Sequence, residues 1–463
     1  MEFTVKKIIS LLAAVILLIC AFVVPAGAVF NKEMLSILFL VAMAIVLWVI
    51  QPLPIGSTSF LVMVLMPLLG IVPYKDAFLG FSNPANFFTI ASFGLALGIS
   101  KTSIPKHLLG VLIKFCKNDT KKITLTFMLL TYVISTVISD ITAVVISLEF
   151  VMGLLDMIED ETEKKRVGKQ FLIGVPIASL LGGTATPVGS TVNVLALDLL
   201  RAHNGAEVAF VDWMVLGVPV SFVTLFIAWF LIVRIFKAQN IDESVIELYK
   251  EKTKNTQSKI KNEGVVIFIL ALTLVLWILS SWIPAFNTTT VALLSLIALM
   301  FPKIEAFTWK EFSSSVSWEL PIMGAATISL SGAVLRSGIV DIIISSIEGY
   351  LPYGNSFVMV AIVALIVTLV LFFIPVGPAS VSMLTIPCFI LGEVIGVNPI
   401  LLVITVATFA SNSSIIPLNA VMYIPYSKGY WKINEVAKVG IIMSIFWILI
   451  SAVWMPFAMN LIN

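Results

Sequence analysis

Apolar runs of about 20 residues recur along the whole chain with short polar segments between them, and this pattern narrows the possible folds more than any other feature. A helix needs about 20 apolar residues to cross the hydrocarbon core of a bilayer. Of the 463 residues, 59% are hydrophobic and 12% are charged, whereas a soluble domain carries about 25% charged residues. The sequence therefore predicts an all-α polytopic membrane protein.

Charges, glycines and prolines divide the apolar runs into about eleven transmembrane helices and two re-entrant hairpins, arranged as two inverted repeats. The predicted spans are 7–29, 35–51, 57–73, 86–102, 212–236, 265–284, 288–302, 318–345 and 436–461, with broken helices at 171–200 and 399–425. The predicted layout is a first transmembrane helix in 1–30, a first repeat in 31–236 with a hairpin at 122–157, a linker at 237–263, and a second repeat in 264–463 with a hairpin at 355–393.

The distribution of lysine and arginine orients the chain. Of the 28 Lys and Arg residues, 24 fall in alternate loops, and these residues collect on the cytoplasmic side of membrane proteins. We therefore expect a cytoplasmic N-terminus in the plasma (inner) membrane. The Lys-rich amphipathic segment 101–122 is predicted to lie along the membrane surface. The polar stretch 237–263, with hardly any apolar clustering, predicts a cytosolic linker.

The first apolar run also resembles a secretory signal. Lys6 and Lys7 precede it, and small residues follow at 26–28. The run is long for a signal, and a second apolar run follows soon after it. We therefore expect a retained first helix.

The sequence lacks the features that are typical of several functional classes. Two histidines and three scattered cysteines leave no ligand spacing for a metal cluster. No Gly-x-Ser-x-Gly elbow is present, and a net charge of +2 with no basic tract leaves no nucleic-acid face. A membrane enzyme or a receptor is disfavoured, and we expect no cofactor.

Polar residues interrupt one apolar helix in each half of the chain, at 182–193 and at 410–419. Irregular backbone at membrane depth persists only where protein or a water-filled cavity satisfies it, and paired interruptions point to a transporter's binding site. Half-helix N-termini suit an anion, and oxygen groups suit Na⁺. The alternative is that the glycines only allow close helix packing. The candidate groups are Thr184, Thr186, Ser190, Thr191 and Asn193, then Ser411, Asn412, Ser413, Ser414 and Asn419.

Asp140 lies in the middle of the predicted hairpin 122–157. A carboxylate at the centre of a bilayer costs roughly 3 kcal/mol, so such an acid is a functional-site hypothesis. Asp is also a common helix N-cap, and a hydrated hairpin tip would hold one at little cost. Both interpretations stay open.

At these residues the chain resembles the divalent anion–sodium symporter family, the INDY-like dicarboxylate, citrate and sulfate carriers of the ion transporter superfamily. The similar segments are 182–184, 189–193, Pro417 with Asn419, Gly429-Tyr430 and 436–440. The hairpin tips depart from the family's Ser-Asn-Thr: they read Ser139-Asp140-Ile141 and Gly377-Pro378-Ala379.

The resemblance implies a homodimer in which each repeat contributes one hairpin tip and one helix break to the site. The implied substrate-binding residues are Ser139, Asp140, Thr142, Thr191, Asn193, Pro378, Ala379, Ser380 and Asn419. The implied Na⁺ ligands are Ser139, Asp140, Thr184, Gly189, Asn193, Gly377, Ser411 and Asn412.

We therefore expect a secondary active transporter of a small anion, with a di- or tricarboxylate favoured and Na⁺ as the coupling ion. The alternatives are a proton-coupled anion transporter, an anion exchanger, or a cation/proton antiporter. In the proton-coupled alternatives Asp140 is the titrating group.

Overall fold

The computed structural model describes residues 2–27, 30–114, 116–254, 260, 262–373, 377–412, 414–415 and 419–462. Every regular element in these residues is a helix. In chain order the helices are α1 (Glu2–Val23), α2 (Lys32–Ile50), α3 (Ile55–Leu68), α4 (Tyr74–Ala77), α5 (Pro84–Lys101), α6 (Ile104–Ile113), α7 (Thr120–Ser135), α8 (Asp140–Leu155), α9 (Glu161–Ala185), α10 (Thr191–Asn204), α11 (Phe210–Ile235), α12 (Glu243–Lys254), α13 (Glu263–Leu279), α14 (Thr288–Leu299), α15 (Trp309–Ser315), α16 (Glu319–Arg336), α17 (Ile339–Ile347), α18 (Ser356–Phe373), α19 (Gly377–Ile395), α20 (Pro399–Ala410), α21 (Ala420–Tyr426) and α22 (Ile433–Ile462).

The chain forms two compact units. Unit 1 comprises Met1–Ile90, Leu195–Glu207 and Ser317–Ala410, and unit 2 comprises Ala91–Val194, Val208–Val316 and Ser411–Asn463.

In unit 1, α1 packs against α2, α2 against α3, and α3 against α16, while α18 and α19 both pack against α20. Its core contains Leu40, Met43, Val62 and Met323, each at most 2% exposed. Between membrane helices the lipid is as apolar as the side chains, so close van der Waals packing rather than transfer from water holds the helices together.

In unit 2, α9 is the central helix. It packs against α7, α8, α11 and α21, and α11 also packs against α22. All residues from Gln170 to Ser190 are buried. A helix surrounded by protein in this way can carry polar groups and a break at membrane depth, because its neighbours satisfy the freed backbone groups.

Described helices lie at every predicted span and hairpin. By length and composition, α11, α19 and α22 can each cross a membrane, and two bent pairs, α5 with α6 and α15 with α16, raise the number to five if each pair is one span. Six further apolar helices contain 10–17 described residues each. The molecule is a multi-pass membrane protein. Eleven spans, the inverted repeats and the domain layout stay predictions.

Two predicted segments differ from the structure. The single span predicted at 318–345 is wrong, because α16 ends at Arg336 and Gly338 has a φ of +78° before α17 begins. A left-handed glycine of this kind terminates a helix. The helix predicted along the surface at 101–122 is shorter than expected. α6 contains only ten residues of this segment, and the last residues of the segment already belong to α7, which begins at Thr120.

The linker prediction missed a helix. α12 lies inside 237–263, and Ile241, Ile246 and Tyr249 are all at most 4% exposed. α12 contacts α6 and α8, and the Tyr249 hydroxyl donates to the Phe150 carbonyl at 2.9 Å. The few apolar residues of this segment are spaced to face one side of a helix, which an average over the whole segment conceals.

Candidate functional site

The first hairpin places a carboxylate at a helix N-terminus. α7 ends at Ser135, and α8 begins at Asp140. Ser139, not Asp140, is the N-cap of α8, so the N-cap interpretation of Asp140 is wrong. The Asp140 Oδ1 atom accepts the Ile141 N–H at 2.9 Å and the Ser139 hydroxyl at 3.3 Å. The positive end of the helix dipole favours a negative charge here.

The first helix break is held closed by one amide side chain. α9 ends at Ala185, and α10 begins at Thr191. From the first turn of α10, Asn193 Nδ2 donates to the Gly183 carbonyl at 2.8 Å and to the Thr186 carbonyl at 2.9 Å. The end of a helix leaves carbonyl groups without intrahelical partners. Asn193 supplies the missing donors and joins the two half-helices.

The other polar atom of the same amide is unpaired. Asn193 is 0% exposed, and its Oδ1 atom has no hydrogen-bond partner within the part of the chain that the structure describes. A buried polar atom without a partner requires an explanation, and a bound ion or water is the usual one. Because both amide hydrogens donate to the two carbonyls, the orientation of the amide is fixed, and Oδ1 can only act as an acceptor for another group.

Three contacts join the hairpin tip to the break. The Thr186 hydroxyl donates to the Thr136 carbonyl at 2.6 Å, and the Ser179 hydroxyl donates to the Asp140 carbonyl at 2.7 Å. The Asp140 carboxylate also interacts with the Ser190 hydroxyl. The structure thus brings Asp140 to the same end of α9 as the break.

Gly189 allows this approach. A Cβ atom at Gly189 would lie 2.8 Å from the Ser135 carbonyl oxygen and 2.7 Å from that of Gly183. Separations this short between nonbonded atoms would force the backbone apart. Here glycine packing and the candidate binding groups occur together, so the two interpretations of the sequence are compatible.

We expect Thr186→Val to destabilise the protein by about 2 kcal/mol. Valine has the shape of threonine but cannot donate to the Thr136 carbonyl or accept the Gly189 N–H, which lies 3.0 Å from the hydroxyl. Thr184→Val is the matched control, because the Thr184 hydroxyl donates to the Leu181 carbonyl within its own helix. Only a local hydrogen bond is lost, and we expect a cost of about 0.5 kcal/mol. Thermal unfolding in detergent measures both, and equal losses would contradict the cross-link between tip and break.

The second break lies in unit 2 beside α22. Asn412 Nδ2 donates to the Ser444 hydroxyl at 2.8 Å, and its Oδ1 accepts the Ser414 hydroxyl at 2.6 Å. The Ser411 hydroxyl is buried and has no partner among the described residues. Asn419 is the N-cap of α21 and accepts the Met422 N–H at 3.0 Å. Ser413 and Pro417 lie outside the described residues.

The second hairpin lies in unit 1. Gly377, Pro378, Ala379 and Ser380 form the first turn of α19, with the last two fully or nearly buried. The connection from α18, residues 374–376, lies outside the described residues. The predicted tip is therefore the start of a helix, where free N–H groups are present.

The predicted residues separate by unit. Unit 1 contains the second hairpin residues, and unit 2 contains the rest: Ser139, Asp140, Thr142, Thr184, Gly189, Thr191, Asn193, Ser411, Asn412 and Asn419. Thr142 and Thr191 are half-buried in the first turns of α8 and α10. Within the described residues, no three His, Cys, Asp or Glu side chains lie together as a metal cluster. A cation at the tip would therefore depend on one carboxylate with neutral oxygen atoms.

Asp198 was missed by the reasoning from sequence. It lies on α10 and is 8% exposed, and its carboxylate interacts with the Ala85 amide. Its Oδ2 atom has no hydrogen-bond partner among the described residues. The sequence could have indicated Asp198, because any acid within an apolar run is a functional-site hypothesis, as Asp140 is. Four buried hydroxyls of unit 1 with no partner in the described chain were also missed: Thr58, Ser382, Thr385 and Thr408.

Comparison with known proteins is consistent with these observations. Residues 45–407 match the citrate transporter family, CitMHS. The sodium-dependent dicarboxylate transporter SdcS of Staphylococcus saprophyticus is 22% identical over 432 residues, covering 87% of this chain and 80% of its own length. SdcS of Staphylococcus aureus is 24% identical over 438 residues, covering 88% and 81%.

Two further proteins are similar over most of the chain. An uncharacterized transporter of Haemophilus influenzae is 24% identical and covers 91% of both chains. The crystal structure of the Alcanivorax borkumensis YdaH transporter covers 93% of this chain and 98% of its own, with 11% identity and a TM-score of 0.48.

The family match spans most of the chain, and the relatives are transporters rather than enzymes. The resemblance to the divalent anion–sodium symporters is thereby confirmed. The chain belongs to the citrate transporter family and is a multi-pass secondary transporter of anions.

Proposed function

We propose that this protein carries a small di- or tricarboxylate coupled to Na⁺, with one Na⁺ bound between the tip of the first hairpin and the first helix break. The observation that carries the proposal is the buried, unpartnered Asn193 Oδ1 atom. Hard cations take oxygen ligands, and an amide oxygen fixed by its own N–H donors is a preformed one. The relatives named as sodium-dependent dicarboxylate transporters support the choice of ion and substrate class.

Asp140 supplies the charge that the cation needs. Its carboxylate lies at the start of α8 and reaches Ser190 at the break. A dianion brought close to this carboxylate would be repelled, and a cation held between them would remove the repulsion. Anion and cation then stabilise the same state, so each raises the affinity of the other. This mutual dependence is the basis of coupled transport.

The oligomeric state and the orientation of the protein in the membrane are also part of the proposal. We expect a homodimer in the plasma membrane with a cytoplasmic N-terminus, as the family resemblance implies. The distribution of lysine and arginine supports the orientation.

Uptake by purified protein in liposomes tests the function. Labelled succinate, citrate and sulfate are offered under an inward Na⁺ gradient, an inward proton gradient, or neither. We expect succinate or citrate to accumulate only with the Na⁺ gradient. Accumulation of sulfate alone would overturn the substrate class, and equal counterflow with neither gradient would overturn coupling.

A proton is the second candidate for the coupling ion. The specific observation is that Asp140 is a carboxylate where the family has an amide, and a carboxylate can bind a proton. In that case the proton gradient alone drives uptake, and Asp140→Asn abolishes this uptake because an amide does not titrate.

A further inference from the structure

A cavity of about 420 Å³ lies in unit 2 beside the first turn of α22. Lysines and aromatic residues form most of its lining. The residues used below are Lys169, Tyr430, Trp431, Lys432, Glu435 and Lys438. Trp431 is 3% exposed, and its indole N–H donates to the Leu172 carbonyl at 3.1 Å. One wall of the cavity is therefore fixed against α9.

The lining carries an excess of positive charge. Lys169 Nζ lies 2.6 Å from Glu435 Oε1, so this pair is neutral overall. Lys432 and Lys438 are exposed, and neither forms an ion pair within the described chain. Glu435 Oε2 also accepts the Lys432 N–H at 2.8 Å. Three lysines against Glu435, which interacts with both Lys169 and Lys432, leave the lining with a net charge of +2. The first-turn N–H groups of α22 add a partial positive charge.

The cavity is far from the candidate ion site. Thr186 at the break follows Lys169 by 17 positions along α9, which corresponds to about 25 Å at 1.5 Å per residue. The cavity is therefore separate from the candidate ion site at the first break.

The position of the cavity indicates a membrane surface. α22 is long and apolar enough to cross a membrane, so the cavity at its N-terminal end lies where hydrocarbon meets water. Ile441 and Ile445 follow Lys438 at helical spacings of three and seven residues and are 49% and 55% exposed. A positive group and an exposed apolar strip thus lie in line along one face of the helix.

We propose that this cavity binds the phosphate-bearing head group of an anionic phospholipid, with an acyl chain along Ile441 and Ile445. Basic pockets at the ends of membrane helices hold such head groups through lysine and arginine, and Trp and Tyr are typical of the same level of the membrane. A free phosphate ion would satisfy the lysines equally well. Only a lipid also covers the isoleucines, and therefore the structure favours the lipid.

Lipid binding by the purified full-length protein tests this. Native mass spectrometry measures the retention of phosphatidylglycerol and of phosphatidylcholine, with inorganic phosphate added in a competing arm. We expect a preference for phosphatidylglycerol, and Lys432→Gln combined with Lys438→Gln should lower its affinity by about 25-fold, at about fivefold per lysine. Lys428→Gln is the matched control, an exposed lysine of the same segment outside the lining, and should leave binding unchanged.

A variant that is expected to raise the affinity distinguishes an effect on lipid binding from damage to the fold. Glu435→Gln keeps an acceptor for the Lys432 N–H and removes one negative charge, so it should raise affinity by about fivefold. Weaker binding by this variant, equal binding of the two lipids, or an unchanged double variant would each overturn the proposal. Occupancy by inorganic phosphate with no preference for phosphatidylglycerol would also overturn it, because the ligand would then come from solution.

Discussion

Asn193→Ala is expected to abolish Na⁺-driven uptake, with a loss of at least about 100-fold in initial rate at fixed Na⁺. The substitution removes the Oδ1 acceptor proposed as a Na⁺ ligand and both donors that hold the Gly183 and Thr186 carbonyls. Each carbonyl left unpaired in a buried place costs about 1–3 kcal/mol. The two half-helices then lose the bridge that fixes their relative position, and both the ligand and its geometry are lost.

A matched variant separates the ion site from the general cost of losing a buried asparagine. Asn86 is 5% exposed, and its Nδ2 donates to the Gly80 carbonyl at 2.6 Å within unit 1. We expect Asn86→Ala to lower the yield of folded protein as Asn193→Ala does, but to leave the half-saturating Na⁺ concentration of the surviving protein unchanged. If both variants shift the Na⁺ dependence equally, Asn193 has no special role in ion binding.

Gly182→Ala is expected to destabilise the protein by about 3 kcal/mol and to reduce the yield of folded protein severely. A Cβ atom at Gly182 would lie 2.4 Å from the Tyr132 carbonyl oxygen and 2.9 Å from Ser135 Cβ. The nearest obstacle is backbone, so no side chain can rotate away. α7 and α9 must separate, and overpacking of this kind costs about 1–3 kcal/mol or more.

Gly110→Ala is the control for Gly182→Ala. It makes the same chemical change inside α6, where no other part of the described chain lies within 4 Å of the new Cβ, and alanine favours a helix by up to about 1 kcal/mol over glycine. We expect its unfolding temperature to stay the same or rise. Size-exclusion chromatography and thermal unfolding measure both variants, and an equal loss in both would show that α7 and α9 do not pack as closely as described.

The break in α9 and the turn before Asp140 could be predicted from the sequence because irregular backbone and charged groups are rare inside a membrane. Irregular backbone without partners is costly in hydrocarbon, so a run such as 182–193 must be either a break or a site. For the same reason an acid such as Asp140 is conspicuous. The prediction of helices succeeded for a simple reason: only helices satisfy their own backbone within a single segment.

Features that depend on tertiary contacts could not be read from the chain. The roles of the two ends of the Asn193 amide follow from the positions of two carbonyls, which no local pattern encodes. The helix α12 depends on its contacts with α6 and α8. The end of α16 depends on the conformation of Gly338, since glycine can also continue a membrane helix.

Asp198 is a different kind of failure. Its apolar surroundings are visible in the sequence, but it lies beyond the predicted break at 182–193. The structure shows a buried carboxylate one turn from the exposed Arg201, which pairs with Glu207. Sequence position alone did not indicate that Asp198 would be buried beside the Ala85 amide rather than exposed near the helix end.

The most direct test of the ion site is the Na⁺ dependence of succinate and citrate uptake by liposomes that contain wild-type protein or Asp140→Asn. We expect the half-saturating Na⁺ concentration to rise about tenfold in the variant, equivalent to about 1.4 kcal/mol of cation binding, with the amount of reconstituted protein unchanged. An identical Na⁺ dependence in the two proteins, or a loss of uptake that only follows a loss of folded protein, would contradict a cation site at the tip of the first hairpin.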